Sequence, residues 1–339
     1  MNTRWRITFG LITLILVLYL LGKINFTEVW NLIVQANNYY FFLAFLAYLT
    51  SFLVFDLRTT YSMKNIVKPS LFFNLKTTLA GFFINVITPG AQLGGDPVRA
   101  YFLGKKYGKP KTKIFGALLA DRFFHVVASI FFILASLLFI ITYVPVSFEL
   151  KTIFQTALFF ALLFLLAIGY LSFRKANFNI ELFLEKFRWL FPKKGLKKGQ
   201  KTKLEKILIK HFGHFARTFR TVVRDRKIIA VGILLSFIYW MLNFAASYFL
   251  FLSFGIQVSF LLVIVVISIG NLVGDFSPTP GGIGLIEGIM IVTYSLLGVS
   301  LSVAVAVSLL SRIIFYFFSI LLGGLSLVNL EKHVSELNK

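Results

Sequence analysis

Apolar runs dominate this chain, and several exceed the roughly 18 to 20 residues that a helix needs to cross the hydrocarbon core of a bilayer. Uninterrupted runs cover about 7–22, 39–56, 114–143, 152–173, 228–253 and 301–328. Two further apolar regions, 71–104 and 259–298, are broken in the middle. The first break reads Thr88-Pro89-Gly90-Ala91-Gln92-Leu93-Gly94-Gly95-Asp96-Pro97, the second Ser277-Pro278-Thr279-Pro280-Gly281-Gly282-Ile283-Gly284. Proline lacks the amide donor a helix uses and glycine lowers helical preference, so neither stretch stays helical. Irregular backbone at membrane depth survives only where protein or a water-filled cavity covers it. A soluble class does not fit 58% hydrophobic residues and a mean hydropathy of +0.84.

Charge sets direction. The 339 residues carry a formal net charge of +22, and 174–227 alone holds 17 Lys/Arg against 4 Asp/Glu, a net +13 between membrane segments. That is a positive-inside signature rather than a nucleic-acid surface. Arg4 and Arg6 place the N-terminus inside, and no small-x-small cleavage site follows the first run, so it reads as a retained helix. Arg58, Lys64 and Lys68 read as an inside loop, as do Lys105, Lys106, Lys109, Lys111 and Lys113. Region 71–104 must then enter and leave on the cytoplasmic side. Segments 144–151 and 254–258 carry little charge and fit outside, so 259–298 enters from the opposite side. Lys332 and Lys339 end inside. The expectation is an all-α, multi-pass protein of the cytoplasmic (inner) membrane, a single membrane domain over 1–339. It has about six transmembrane helices plus two opposed re-entrant hairpins, and both termini are cytoplasmic. Within the basic loop, Leu204, Leu208, Phe212, Phe215, Phe219 and Val222 recur at helical spacing, which predicts an amphipathic helix on the inner leaflet; 178–191 reads as another.

The two breaks match each other. Thr88-Pro89-Gly90 is followed after five residues by Asp96, and Thr279-Pro280-Gly281 after five residues by Glu287. Arg122 and Arg312 then follow the threonines by 34 and 33 residues. With the charge-derived directions this predicts an inverted repeat, units about 39–143 and 228–328, of the kind that secondary transporters build around broken helices. Runs 7–22 and 152–173 lie outside the repeat.

Each charged residue has a structural and a functional reading. Asp96 precedes Pro97, as an N-cap acid does before proline at the first helical position. Glu287 sits in a first turn, where it opposes the helix dipole. Either acid could instead orient an intramembrane arginine or carry a proton or cation. Arg122 can snorkel to the cytoplasm. Arg312 falls near the middle of an apolar run, where an arginine costs at least about 2.5 kcal/mol and needs partners. An ion pair with Glu287 or Asp275 supplies one; a phosphate ligand is the alternative. Arg99 could join that ligand or face the cytoplasm. Candidate substrate-binding residues are therefore Arg122, Arg312, Asp96, Glu287 and Arg99. The backbone breaks are formed by Thr88, Pro89, Gly90, Gly94 and Gly95, and by Thr279, Pro280, Gly281, Gly282 and Gly284. His211 and His214 form an H-x-x-H on a basic surface without a nearby acid and read as solvated, not as a metal site. His125 reads as packed against Asp121. No cysteine occurs and no nucleophile–base set or phosphate loop is visible, so no cofactor, metal or catalytic residue is assigned.

Through Pro89-Gly90, Gly95-Asp96 and Arg99-Ala100, then Pro280-Gly281-Gly282-Ile283-Gly284 with Glu287, then Arg312, the chain resembles the lysylphosphatidylglycerol synthase transmembrane family, also described as flippase-like membrane proteins. The resemblance covers nearly the whole chain. The family often has Glu at the place of Asp96, which leaves the acid's role intact with a shorter reach. In longer relatives a soluble domain attaches lysine to phosphatidylglycerol and the membrane part flips the product. This chain ends about ten residues after its last run, so the resemblance implies lipid translocation rather than synthesis. The expected function is movement of an anionic phospholipid or lipid-linked head group, with membrane phospholipids as partners, no nucleic acid, and self-association left open. The alternatives are an integral-membrane transferase acting on a lipid-linked substrate and a membrane partner subunit for a soluble enzyme.

Overall fold

The computed structural model describes residues 26–88, 94–143, 213–215, 217–275, 277 and 279–336, with Thr152 and Phe159 as isolated helical positions. The expected spans 7–22 and 152–173, most of the basic segment, the 178–191 helix, Lys339, and Pro89 and Gly90 lie outside these residues, as does the side chain of Asp275.

Every extended element among the described residues is helical. Helices α1 (Phe26–Val34) and α2 (Asn38–Ser62) are followed by α3 (Leu71–Ile87), α4 (Gly95–Tyr107) and α5 (Lys111–Tyr143). Beyond the basic segment come α6 (Arg226–Ser253), α7 (Phe260–Asp275), a 3₁₀ turn (Pro280–Gly282) and α8 (Leu285–Leu296). The last element begins as α9 (Leu301–Tyr316), widens to a π-helical segment (Phe317–Leu322) and ends as α10 (Gly323–Glu336). Four of these helices are long and apolar enough to cross a membrane: Asn38–Ser62, Lys111–Tyr143, Arg226–Ser253 and Leu301–Glu336. The protein is an all-helical, multi-pass membrane protein. Large side chains such as Phe42, Phe72, Phe131 and Leu296 are exposed on its surface, a pattern suited to lipid and costly in water.

The order long helix, short helix, break, short helix, long helix occurs twice along the chain. The two sets of helices meet along α2 and α6, which share the most extensive helix contact among the described residues. Packing is also crosswise: α3 lies against the π segment and α10, while α7 lies against α5. Aromatic rings fill this junction, with Phe52 edge-on to Phe82 (5.1 Å) and Phe132 edge-on to Phe244 (4.9 Å). The first hairpin closes tightly because a Cβ on Gly95 would overlap the Gly81 carbonyl, so the backbones of α3 and α4 touch where neither carries a side chain.

Two local expectations change. The second span does not end near Asp56 but continues to Ser62, so Arg58 is a buried helical residue, 1% exposed, and not a loop charge. The described end of the basic segment turns its apolar face to protein: Phe215 packs on Phe115 of α5 (6.0 Å), and Val222 is buried in the cluster that holds Ile114 and Leu118. There, the protein's own helix covers the stripe that a lipid surface was expected to cover. At its far end Asp225 caps α6, accepting from the Lys227 and Ile228 N–H groups (2.9 and 3.1 Å). The Ile228 amide, then the Asn65 side chain, hold this carboxyl below the usual carboxylate range.

Candidate functional site

Side chains hold the described backbone at the ends of the first break and within the second. In the second, Gly281, Gly282 and Gly284 take positive φ values of 60°, 71° and 82°, which L side chains resist. Glu287, in the first turn of α8, accepts from the Gly284 N–H through Oε2 (2.7 Å). Its Oε1 accepts from Arg312 Nε (2.8 Å) and from the Tyr316 hydroxyl (3.1 Å). Arg312 Nη2 donates to the Gly281 carbonyl and to the Tyr316 oxygen, both at 2.9 Å. One guanidinium therefore ties α9 to the acid of α8 and to the irregular backbone before it. The pair is largely buried, each side chain 11% exposed, and Arg312 lies over the rings of Phe315 and Tyr316. Nη1 takes no partner among the described residues.

The first hairpin carries the corresponding acid and arginine. Asp96, buried near the start of α4, is bonded by Arg122 Nε of α5. It is not the N-cap: α4 begins at Gly95, with Gly94 in the cap position, because the Asn85 side chain accepts from the Gly95 N–H (2.7 Å) and supplies the capping oxygen from α3. Asp96 is thereby free to face Arg122. Thr88 closes α3 on the Ile84 carbonyl (2.6 Å), and Thr279 bridges its break to the Ile283 carbonyl (3.2 Å).

Arg99 neither snorkels nor faces outward. It is 3% exposed, lies 3.6 Å from Asp96, and donates from Nη2 to Thr59 and Thr78 (both 3.0 Å). Thr78 and Asn74 in turn donate to the buried Asp56 (2.8 and 2.7 Å). Beside them Asp121 accepts from Arg58, with Nη2 at 2.9 Å, and from Ser62 (2.8 Å), while Arg58 reaches Ser236 of α6 (3.1 Å). The expected packed pair of His125 with Asp121 is replaced by this arginine standing between them, 3.4 Å from His125 Nδ1. Asp56, Asn74 and Thr78 were not singled out from sequence, and Arg58 was read only as a loop charge. Their signal was present as charged and amide groups within apolar helices, but it was masked by placing the end of the second run at Asp56. Tyr316, one helical turn after Arg312, was likewise legible only as an aromatic of an apolar run.

A cavity of about 90 Å³ opens beside Arg312 at the junction of the halves, with Tyr48, His125, Trp240, Asn243, Asn271 and Phe315 in its wall. Arg312 lines it; Asp96, Arg99 and Arg122 do not. The structure thus gathers the sequence-derived residues into two acid–arginine sets and brings one of them to a cavity.

A family model described as the lysylphosphatidylglycerol synthase TM region matches residues 7–323. The chain is similar to a UPF0104 membrane protein of Pyrococcus horikoshii, 29% identical over 320 residues that cover 94% of this chain and 95% of the relative. It is similar to a UPF0104 membrane protein of Methanothermobacter thermautotrophicus, 30% identical over 261 residues covering 76% and 75%. A third, from Methanocaldococcus jannaschii, is 25% identical over 341 residues covering 96% and 95%.

Proposed function

The chain belongs to the family of the lysylphosphatidylglycerol synthase transmembrane region, and from that premise we propose that it moves an anionic lipid head group across the cytoplasmic membrane. One observation carries the reading. Each interrupted hairpin holds a buried acid bonded to an arginine from the long helix that follows it, Asp96 with Arg122 and Glu287 with Arg312. An arginine held by a carboxylate in a low-dielectric interior is a preformed phosphate site, since phosphate can exchange for the carboxylate on the same guanidinium donors. The half-helix N-termini beside it add partial positive charge.

In this reading the chain crosses the membrane six times. The pairs α3–α4 and α7–α8 are re-entrant hairpins of opposite direction, in repeat units near 39–143 and 228–328. Both termini and the basic segment 174–227 are cytoplasmic. The twice-repeated helix order, the shortness of the four half-helices and the crosswise packing of α3 and α7 support it. The head group leaves one leaflet, exchanges onto Arg122 or Arg312, and leaves to the other, while its acyl chains stay in lipid.

The test is reconstitution in liposomes holding fluorescent phosphatidylglycerol in both leaflets, with dithionite bleaching the outer one. The expected result is loss of the protected half in the presence of the protein, abolished by Arg312→Gln and strongly slowed by Arg122→Gln. Bleaching that stops at one half would overturn the proposal. A changed head group, found by mass spectrometry of the recovered lipid, would replace it with the transferase alternative.

A further inference from the structure

Asn243 of α6 and Asn271 of α7 both line the cavity beside Arg312. Asn243 Nδ2 donates to the Tyr239 carbonyl (2.7 Å) and Asn271 Nδ2 to the Ile267 carbonyl (2.9 Å). A carbonyl only accepts, so chemistry fixes the orientation of both amides. Each Oδ1 is left without a hydrogen bond among the described residues. Two amide oxygens in an otherwise largely aromatic and aliphatic wall call for a ligand that donates.

An ammonium and a hydroxyl both donate, and the rest of the wall separates them. No carboxylate lines the cavity among the described residues, and Arg312 does. An ammonium would meet the guanidinium directly, while the carboxylate that offsets it, Glu287, stands on the far side of Arg312 and outside the wall. The opposite wall adds a neutral donor. Arg58, held by Asp121, lies 3.4 Å from His125 Nδ1, and arginine cannot accept. Nδ1 is therefore the acceptor, and the neutral imidazole keeps its proton on Nε2. The ring is stacked on Trp240, with centroids 5.1 Å apart and planes 19° apart, so the pair adds an aromatic face to the wall. Such a face suits the C–H side of a carbon chain or ring that carries hydroxyls on its other side.

We propose that the cavity selects a phosphate-bearing polyol head group. Arg312 takes the phosphate, Asn243 and Asn271 accept from hydroxyls, and the His125–Trp240 face covers the carbons, with Nε2 donating to an oxygen. That the polyol arrives on a lipid rests on the translocation reading; that the cavity prefers hydroxyls over a bare or amine-bearing phosphate does not.

The experiment has two arms. In nanodiscs, tryptophan fluorescence of the purified protein is titrated with glycerol 1-phosphate, inositol 1-phosphate, inorganic phosphate and phosphoethanolamine. The polyol phosphates should bind about tenfold more tightly than the other two, the worth of one or two well-placed hydrogen bonds. The double variant Asn243→Ala with Asn271→Ala should remove that preference and leave inorganic phosphate binding unchanged. Should the double variant fold poorly, each single variant serves, because a folding defect lowers all four affinities together while the inferred role changes their ratio. Equal binding of all four probes by the unaltered protein, no binding by either polyol phosphate, or a variant that keeps the preference overturns the inference. In the liposome arm, fluorescent phosphatidylglycerol and phosphatidylinositol should cross faster than phosphatidic acid or phosphatidylethanolamine. Head-group preference in nanodiscs without any crossing would sink translocation and leave the polyol site standing. Crossing without head-group preference would do the reverse.

Discussion

Three groups are hydrogen-bonded by Arg312, and they lose different things when it changes. Arg312→Gln leaves Glu287 buried with only the Gly284 amide and Tyr316 as partners, which should cost about 3 to 5 kcal/mol in unfolding free energy. Arg312→Lys should keep the charge pair but not the Gly281 carbonyl and Tyr316 contacts together, because an ammonium cannot present a planar fork. It should therefore recover most of the stability and little of the lipid binding. The double change Arg312→Gln with Glu287→Gln removes both buried charges, and chemical denaturation should show most of the loss regained. If the double variant also moves lipid at the normal rate, Arg312 serves only its acid and not a phosphate.

At the scale of elements, helix ends decide what the charged residues face. Asp225 caps α6 as a carboxylate, with its carboxyl held below the usual range in the folded protein. Its stabilising contribution is therefore present above the unfolded carboxyl pKa of about 3.9 and lost as pH falls through the lower folded value. Asp225→Ala should lower the melting temperature at pH 7, and the gap between variant and parent should close at the acid end of a pH series. The long helices and both breaks were legible because proline and glycine interrupt apolar runs by local chemistry alone, as at Pro280 to Gly284. The pairing of each hairpin's acid with its arginine was foreshadowed by the matched spacing. What sequence could not give was the cap of α4. Asp96 before Pro97 is locally a sound N-cap, but the Asn85 oxygen, ten residues earlier and brought close only by the fold, occupies that role. The same holds for Arg58, whose place in the interior depends on Asp121, 63 residues away.

At the scale of the whole molecule, the described helices follow one order twice and the two sets join through α2 and α6; their relative direction is the property most open to direct test. The chain has no native cysteine, so single cysteines report without background. Those placed at Lys109 and Gln200 should be labelled only from the cytoplasm, and those at Ser147 and Ile256 only from outside. Labelling of Lys109 and Ile256 positions from one face would make the halves parallel. The pairing inside the halves also has an electrical meaning. Asp121 is bonded by Arg58, Asp96 by Arg122 and Glu287 by Arg312, one acid to one arginine in each pair. An acid–arginine pair that shifts as a unit, Asp96 with Arg122 or Glu287 with Arg312, displaces no net charge through the membrane field, so the resting potential does almost no work on the pair itself. Work is done on a charged cargo, about 2.3 kcal/mol per elementary charge for each 100 mV. A potential negative inside would then drive a singly charged anionic lipid outward and leave a zwitterionic one indifferent, which potassium-gradient liposomes can read as a direction of net movement.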